Sequence, residues 1–313
     1  MPVVITSCSK RKRVSPVSVL CAGTLTKGPL DRVACEWQSR VRAATCNLPA
    51  LDLYSGRHFY EATRASAALQ AELFVVSAGV GVLRGDELVP PYSLTVTAGS
   101  PDNILSVIEG ARASSDWWRC LCQGFGGRSG LMKAAASSDD ADGYIFIALP
   151  TPYLVMVEDD LQGFSEGQLC RTRVFTSASF RFRNSALDRL RMPYDARLDG
   201  LESPCPGTAT DFPARALHHF ATELLPQLPQ GSCEEHANLI TRCLSGWSLP
   251  RRPERTRQSD SELQEIIRAN WGHAGGSASR MLRWIRQERG MACEQGRMRE
   301  LYAVIRQEME EAS

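Results

Sequence analysis

The sequence lacks any apolar run long enough to cross a bilayer, and no membrane partner is expected. Residues 1–7 lead directly into a strand-like pattern, without the basic start and long apolar core of a signal peptide. An excess of charge of one sign is also missing, because 36 basic and 35 acidic residues leave a formal net charge of +1. Any nucleic-acid surface must therefore come from local clustering. These absences predict a cytoplasmic globular protein.

The 11 cysteines show neither a disulfide framework nor the spacing of a metal site. Their number is odd and they are scattered, which is typical of reduced thiols in a cytosolic protein. Cys120 and Cys122 are too close together for the usual zinc knuckle, and no second pair has a suitable spacing. The glycine-rich residues 124–130 lack the Gly-Lys-Ser/Thr ending of a P-loop, so we interpret them as a flexible turn. We predict no metal and no cofactor.

Strand-like apolar runs alternate with amphipathic helical patterns along residues 1–247. The strand-like runs are residues 3–5, 74–76, 143–149 and 171–176. Hydrophobic residues make up 43% of the chain, which is enough for a packed core. The alternation predicts an α/β fold with a mixed or parallel sheet flanked by helices. A Pro- and Arg-rich linker at residues 248–259 is expected to separate this catalytic domain from a small all-helical module at residues 260–313.

The C-terminal module carries arginines on one side of a helical pattern. They are Arg280, Arg283 and Arg286. From residue 251 onward there are 12 arginines, no lysine and 10 acidic residues, a local balance of +2. Two interpretations remain open. The three arginines bind a nucleic-acid backbone, or the module is a helical cap whose arginines pair with neighbouring glutamates.

Residues 74–95 are the most informative stretch. They open as an apolar β-branched run, which predicts a buried strand, and then break into small and polar residues. These residues are Ser77, Gly79, Gly81, Arg84, Asp86 and Tyr92. A strand that ends in a glycine-containing loop is typical of ligand presentation at the carboxyl edge of an α/β sheet. The alternative interpretation is a plain connection made of a β-turn and a loop.

The first predicted strand also ends in small and polar residues, as residues 74–95 do. Ser7, Cys8, Ser9 and Lys10 stand there, and further cations follow. Backbone N–H groups and ammonium charge in such a loop can hold an anion, whereas the alternative is a solvated basic turn. His58, at a predicted helix start, is interpreted as a surface or capping residue.

Three stretches resemble the YaaA-like family, whose founding members are linked to peroxide stress. They are residues 7–10, residues 53–56 (Leu-Tyr-Ser-Gly) and, as the longest and most specific match, residues 76–94. The family has a Ser-x-x-Lys element, a Leu/Tyr-Ser/Thr-Gly element and a Leu-Ser-Gly-x-Tyr-Gly-Val-Leu-Arg-Pro-x-Asp block. The resemblance covers the first half of the chain and implies an α/β fold that contacts DNA.

A branch of that family accompanies the machinery that places 7-deazaguanines in bacterial DNA. The resemblance implies hydration of the nitrile of 7-cyano-7-deazaguanine in DNA, with DNA and other DNA-modification proteins as partners. The chain departs from the peroxide-stress members at Cys8, where they have no thiol, and at residues 79–81, where they have an aromatic. The thiol favours covalent chemistry, and the missing aromatic argues against the stress role.

Nitrile hydration needs a nucleophile, a proton donor and water. We predict that Cys8 attacks the nitrile carbon as a thiolate near Lys10, and that Asp86 donates the proton or activates the water. Arg84 and Lys10 are expected to anchor phosphate, and Tyr92 to stack on a flipped-out base. The other predicted substrate contacts are Ser7, Ser9, Tyr54, Ser55, Ser77, Gly79 and Gly81.

Simpler structural roles stand beside these predictions. Cys8 is a buried small residue, Asp86 caps a turn, and Arg84 pairs with Asp86. Two other functions also remain open. One is a non-catalytic DNA-binding stress protein. The other is an enzyme acting on a nucleoside glycosidic bond, which also needs an acid beside a base pocket.

Overall fold

The computed structural model describes most of the chain as two separate units. The described residues are 1–45, 48–110, 112–124, 130–138, 143–250 and 254–311. The first unit is Met1–Pro250 and the second is Arg251–Ser313. Each has its own hydrophobic core. Most of the predicted glycine-rich turn at residues 124–130 lies outside the described residues.

A five-stranded sheet forms the centre of the first unit. Its strands are β1 Val3–Ser7, β3 Glu72–Ser77, β4 Gly81–Arg84, β6 Ile145–Ala148 and β7 Thr172–Phe175, while β2 Leu48–Pro49 and β5 Leu88–Val89 form a separate antiparallel pair. The strand order is β4-β3-β1-β6-β7. All neighbours run parallel except β4, which is antiparallel to β3. This mixed, mostly parallel sheet confirms the predicted α/β class.

Helices cover this sheet. They are α1 Leu30–Ala43, α2 Ala50–Leu53, α3 Arg57–Ala68, α4 Ser114–Gly124, α5 Gly130–Ala136, α6 Thr151–Val157, α7 Glu166–Arg171, α8 Phe212–His219 and α9 Cys233–Ser245. Shorter 3₁₀ segments and one π turn, Phe220–Leu224, connect them. Within the described ranges, no helix has the length and apolar character needed to cross a membrane.

The apolar runs form buried strands because both faces of the sheet are covered. Val3, Val4 and Ile5 of β1 have no exposed surface, which is why this strand is continuously apolar and does not alternate. Helix α1 packs on the core through Val33 and Trp37, which are spaced four residues apart on one face. The continuous apolar runs thus account for the buried sheet of the first unit, and the helical spacing of apolar residues accounts for the helices that pack on it.

The second unit is mostly helical. Its elements are β8 Thr256–Arg257, α10 Asp260–Ala269, α11 Trp271–Ala274, α12 Ala278–Gln287, β9 Met291–Ala292 and α13 Gln295–Glu311. The structure differs from the predicted linker at residues 248–259. Strand β8 pairs with β9, and the Ser259 side chain caps α10, so the described residues 254–259 belong to this unit.

Candidate active site

A cleft of about 650 Å³ opens where the parallel strands end. Cys8 follows β1, Pro150 follows β6 and Ser177 lies just beyond β7, and all three line the cleft. The chain passes from β1 to β3 on one side and later returns to β6 on the other. Open α/β sheets bind ligands at such a switch point, outside the carboxyl ends of the strands. The fold therefore places Cys8 where a substrate is expected.

The lining of the cleft is rich in hydroxyl groups and poor in charge. Besides the Tyr153 hydroxyl, the hydroxyl groups belong to Ser7, Ser9, Thr95, Thr97, Ser100, Thr151, Ser177 and Thr210. Prolines 150, 152 and 213 add apolar surface, and Lys10 is exposed on the lining. None of the described lining residues is Asp or Glu. This composition suits a neutral, polar, flat ligand.

Cys8 and Tyr153 form a pair in this cleft. Cys8 is 6% exposed, and its Sγ lies 3.2 Å from the Tyr153 hydroxyl oxygen. The Cys8 amide donates a hydrogen bond to the Val76 carbonyl, which holds the loop against the sheet. Burial is the main cause that raises the pKa of Tyr153 well above its usual value. The hydroxyl therefore stays protonated and can donate to sulfur or to a ligand.

Lys12 interacts electrostatically with Cys8, and the sequence prediction missed it in favour of Lys10. Burial lowers the pKa of Lys12, and negative charge at Cys8 acts in the opposite direction. The Lys12 ammonium donates a hydrogen bond to the Ser9 carbonyl and lies 4.4 Å from the centre of the Tyr92 ring. A half-buried ammonium in this position stabilises negative charge that develops on sulfur.

His58 lies in the cleft wall, and not on the surface as its position in the sequence suggested. Its Nε2 is 3.0 Å from the Thr6 hydroxyl, and its buried Nδ1 forms no hydrogen bond of normal geometry with the described residues. Burial lowers the pKa of His58 from 6.5 to about 4, although the charge of Asp211 acts against this shift. The imidazole is therefore neutral at neutral pH.

A pH dependence of stability follows from His58. Its pKa in the folded state, about 4, is below the 6.5 of the unfolded chain, so the unfolded state binds the proton first as pH falls. The stabilisation is complete above about pH 6.5 and is lost toward pH 4, by up to about 3 kcal/mol. We expect His58→Gln to lose less free energy of unfolding over this range than the unmodified protein, as measured by urea titration.

The control for this experiment is His273→Gln, because His273 is exposed and lies in the second unit. It should reproduce the acid sensitivity of the unmodified protein. An equal decline in stability for the His58 variant and the control would contradict the assignment.

Tyr54, Ser77 and Tyr92 lie behind the cleft and do not line it. None has exposed surface. The Tyr92 hydroxyl is 2.8 Å from the Tyr54 hydroxyl and 2.5 Å from Ser77 Oγ, which also accepts hydrogen bonds from the amides of Gly79 and Val80. The prediction that Tyr92 stacks on a base is corrected, because its ring is enclosed in the core. Tyr54 and Ser77 likewise serve this buried network.

The two glycines of the predicted pocket have structural roles. A Cβ at Gly79 would lie 2.6 Å from the Tyr92 ring, and the Gly79 carbonyl accepts a hydrogen bond from Trp37 Nε1. Gly81 has a φ of +81° and pairs with Ser77 where β3 turns into β4. Neither lines the cleft. Their prediction as ligand contacts is corrected to close packing and turn formation.

Arg84 and Asp86 lie at the amino end of β3, away from the cleft. The Arg84 guanidinium is 3.2 Å from Glu72, the first residue of β3, and forms a salt bridge with Asp86. Cys8 contacts Val76, at the carboxyl end of the same strand. The predicted roles of Asp86 in catalysis and of Arg84 in phosphate binding at this site are corrected, because the antiparallel β4 carries both residues to the opposite edge.

The remaining predicted contacts lie at or near the cleft. Ser7 and Ser9 line it together with Lys10. Ser9 Oγ accepts a hydrogen bond from the Ser55 amide, and Ser55 itself lines a separate cavity of about 500 Å³. The structure thus brings Ser7, Cys8, Ser9 and Lys10 together at one site and links Ser55 to them through a loop contact.

A buried ion pair holds one wall of the cleft. Arg215 has no exposed surface, and its Nε is 2.5 Å from Asp211 and its Nη1 2.9 Å from Asp199. Asp211 also accepts a hydrogen bond from the Thr208 amide. Residues 209–213 supply part of the lining. The ion pair therefore shapes the cleft without facing a ligand.

The fold and cleft define an α/β protein with a thiol at the switch point of its sheet. Comparison with models of known families found no match, and neither did a search of curated proteins. The resemblance to the YaaA-like family therefore stays a prediction.

Proposed function

We propose that this protein is an enzyme that hydrates the nitrile of 7-cyano-7-deazaguanine in DNA to the 7-amido base, with Cys8 as the nucleophile. The observation that carries the proposal is the contact of Cys8 Sγ with the Tyr153 hydroxyl in an open cleft. A thiol beside a protonated hydroxyl supplies both the nucleophile and the proton donor that a nitrile needs. The sequence resemblance supplies the base and its location in DNA.

The shape and chemistry of the cleft support a neutral base as the reacting group. Its volume lies within the usual range of small-molecule sites, roughly 300–1,000 Å³. Proline surfaces suit the faces of a flat ring, and the hydroxyl groups suit its polar edge. Glycoside hydrolysis ordinarily uses a pair of carboxylates, and the described lining residues include none. This favours nitrile hydration over cleavage of a glycosidic bond.

The first half of the reaction forms a thioimidate. The Cys8 sulfur attacks the nitrile carbon, the new C–S bond forms, and one π pair of the nitrile moves to nitrogen. Tyr153 gives its hydroxyl proton to that nitrogen and takes the thiol proton from Cys8, so both residues remain neutral overall. Lys12 stabilises the charge that passes through sulfur.

The second half releases the amide. Water adds to the thioimidate carbon, and one of its protons moves to nitrogen to give a tetrahedral adduct. The C–S bond then breaks, sulfur takes the hydroxyl proton, and the carbonyl forms. One water is consumed for each nitrile, and Cys8 returns as a free thiol. No oxidant, reductant or metal enters this balance.

The proposal is tested with an oligonucleotide that carries one 7-cyano-7-deazaguanine. After incubation in ¹⁸O-labelled water, the DNA is digested and its nucleosides are analysed by mass spectrometry. We expect the 7-amido nucleoside with the label in its carbonyl oxygen. Unchanged nitrile in both single-stranded and duplex DNA would overturn the proposal. Release of the free base would instead identify an enzyme acting on the glycosidic bond.

A further inference from the structure

The second unit carries a groove that the proposed chemistry does not use. It has a volume of about 360 Å³. The lining residues are Arg255, Ser279, Leu282, Arg283, Arg286, Gln287 and Gln295. All but Leu282 carry polar side chains, and the only charged groups among them are guanidinium groups. A groove of this kind is suited to an extended polyanion and not to an apolar ligand.

Ion pairing divides the arginines of this unit into two groups. Arg268 pairs with Glu308 and Arg297 with Asp260, and Arg306 on α13 is also paired. The arginines that line the groove belong to the other group, which forms no salt bridge among the described residues.

In the part of the chain that the structure describes, Arg255, Arg280, Arg283 and Arg286 form no salt bridge. Arg286 donates two hydrogen bonds to the Cys293 carbonyl, which fixes its guanidinium without neutralising it. The interpretation in which the α12 arginines pair with glutamates is therefore corrected. Arginine charge that no salt bridge of the described residues compensates therefore lies along α12.

Helix α12, which lines the groove, follows α11 in the order helix, turn, helix. Helix α11 ends at Ala274, three turn residues follow, and α12 starts at Ala278. Gly275 and Gly276 adopt positive φ values of 46° and 77°, which allow the sharp turn. The Ser277 side chain then caps α12.

Helix α12 has a buried side and an exposed side. Met281 and Ile285 pack into the core of the unit, whereas Arg280 and Arg283 are exposed. In helix-turn-helix proteins the second helix enters the major groove of DNA with its outer face. Arg280 stands one turn before Arg283 and, although it is not part of the groove lining, it extends the basic face.

We propose that this groove binds the phosphodiester backbone of duplex DNA, with α12 placed in the major groove. Guanidinium groups match phosphate oxygens in a two-pronged geometry that ammonium groups do not offer. Gln287 and Gln295 add amide groups of the type that hydrogen-bond base edges. Duplex DNA is favoured over duplex RNA because the major groove of RNA is too deep and narrow for a helix. This function does not depend on Cys8.

The test measures binding of the full chain to a fluorescently labelled DNA duplex by anisotropy over a series of salt concentrations. We expect Arg283→Ala to weaken binding about tenfold and to reduce the slope of log K against log salt by about one, as the loss of one phosphate contact does. Arg255→Ala/Arg283→Ala should reduce the slope by about two. Circular dichroism verifies that each variant is folded.

Arg268→Ala is the matched control, because it removes the same charge from a paired arginine outside the groove. It should keep the affinity and the salt slope of the unmodified protein. Equal binding by the Arg283 variant and the unmodified protein would overturn the proposal, as would tighter binding of duplex RNA. Nitrile hydration of a short single strand by the Arg283 variant separates this result from a failure of the proposed chemistry.

Discussion

Cys8→Ala is expected to abolish formation of the amide, lowering kcat/KM by roughly 10³-fold or more, as removal of a covalent nucleophile does. The substitution deletes the atom that bonds to the nitrile carbon, and Tyr153 alone cannot replace it. The cleft and its hydroxyl groups remain, so binding of the modified base should change far less than turnover. The measurement is amide formation under single-turnover conditions, with binding followed in parallel.

Two control variants separate this loss from a general effect. Asp86→Ala changes an exposed residue at the far end of β3 and should retain full activity. Cys21→Ala removes a thiol that does not line the cleft and should also be active. Full activity of the Cys8 variant would exclude the covalent route. Loss of activity in the Asp86 variant alone would restore the original assignment of that carboxylate.

Asp211→Ala should destabilise the first unit by about 2–3 kcal/mol, less than the roughly 3–5 kcal/mol of a buried charge that loses its only partner, because Asp199 still pairs with Arg215. Arg215 has no exposed surface, so its charge would remain buried with Asp199 as its remaining acidic partner. Burial raises the pKa of Asp211, but hydrogen bonds from Thr208 and Arg215 outweigh this effect and lower it. Its stabilisation is therefore present above the unfolded pKa and is lost as pH falls through the folded one.

Urea titration at neutral pH measures this effect. The double variant Asp211→Ala/Arg215→Met also removes the buried guanidinium and should recover much of the lost stability, because Asp199, the other partner of Arg215, is partly exposed and can be hydrated. A single variant that costs less than about 1 kcal/mol would show that the pair is not a main support of the cleft wall. Failure of the double variant to recover would assign the loss to packing.

The fold class was predictable because apolar runs and helical periods are local properties. β1 is buried on both faces, and its uninterrupted run of branched apolar residues predicts this burial. The loop after β1 was predictable for the same reason, since a buried strand that ends in small and charged residues marks a sheet edge. Ser7, Cys8, Ser9 and Lys10 are therefore found together in the cleft.

The errors came from features that only the tertiary structure defines. The residues of β4 are compatible with a strand of either direction. Because β4 pairs antiparallel with β3, Asp86 lies at the edge of the sheet opposite the cleft. A Ser-x-x-Lys spacing fits Ser7 with Lys10 and also Ser9 with Lys12, so spacing did not identify the cation beside the thiol. Tyr92 was given an exposed role because sequence does not show which aromatic rings are enclosed.

The position of residues 76–94 has a consequence for how relatives of this protein would diverge. This stretch carries the longest resemblance, yet Ser77, Gly79 and Tyr92 form the support behind the thiol and do not line the cleft. Most of the lining comes from other stretches: residues 95–100, 150–153 and 209–213. The residues that support the thiol and the residues that would contact the substrate thus lie in different parts of the chain. Proteins that share the signature can differ in substrate, and the lining segments are where such a difference would be found.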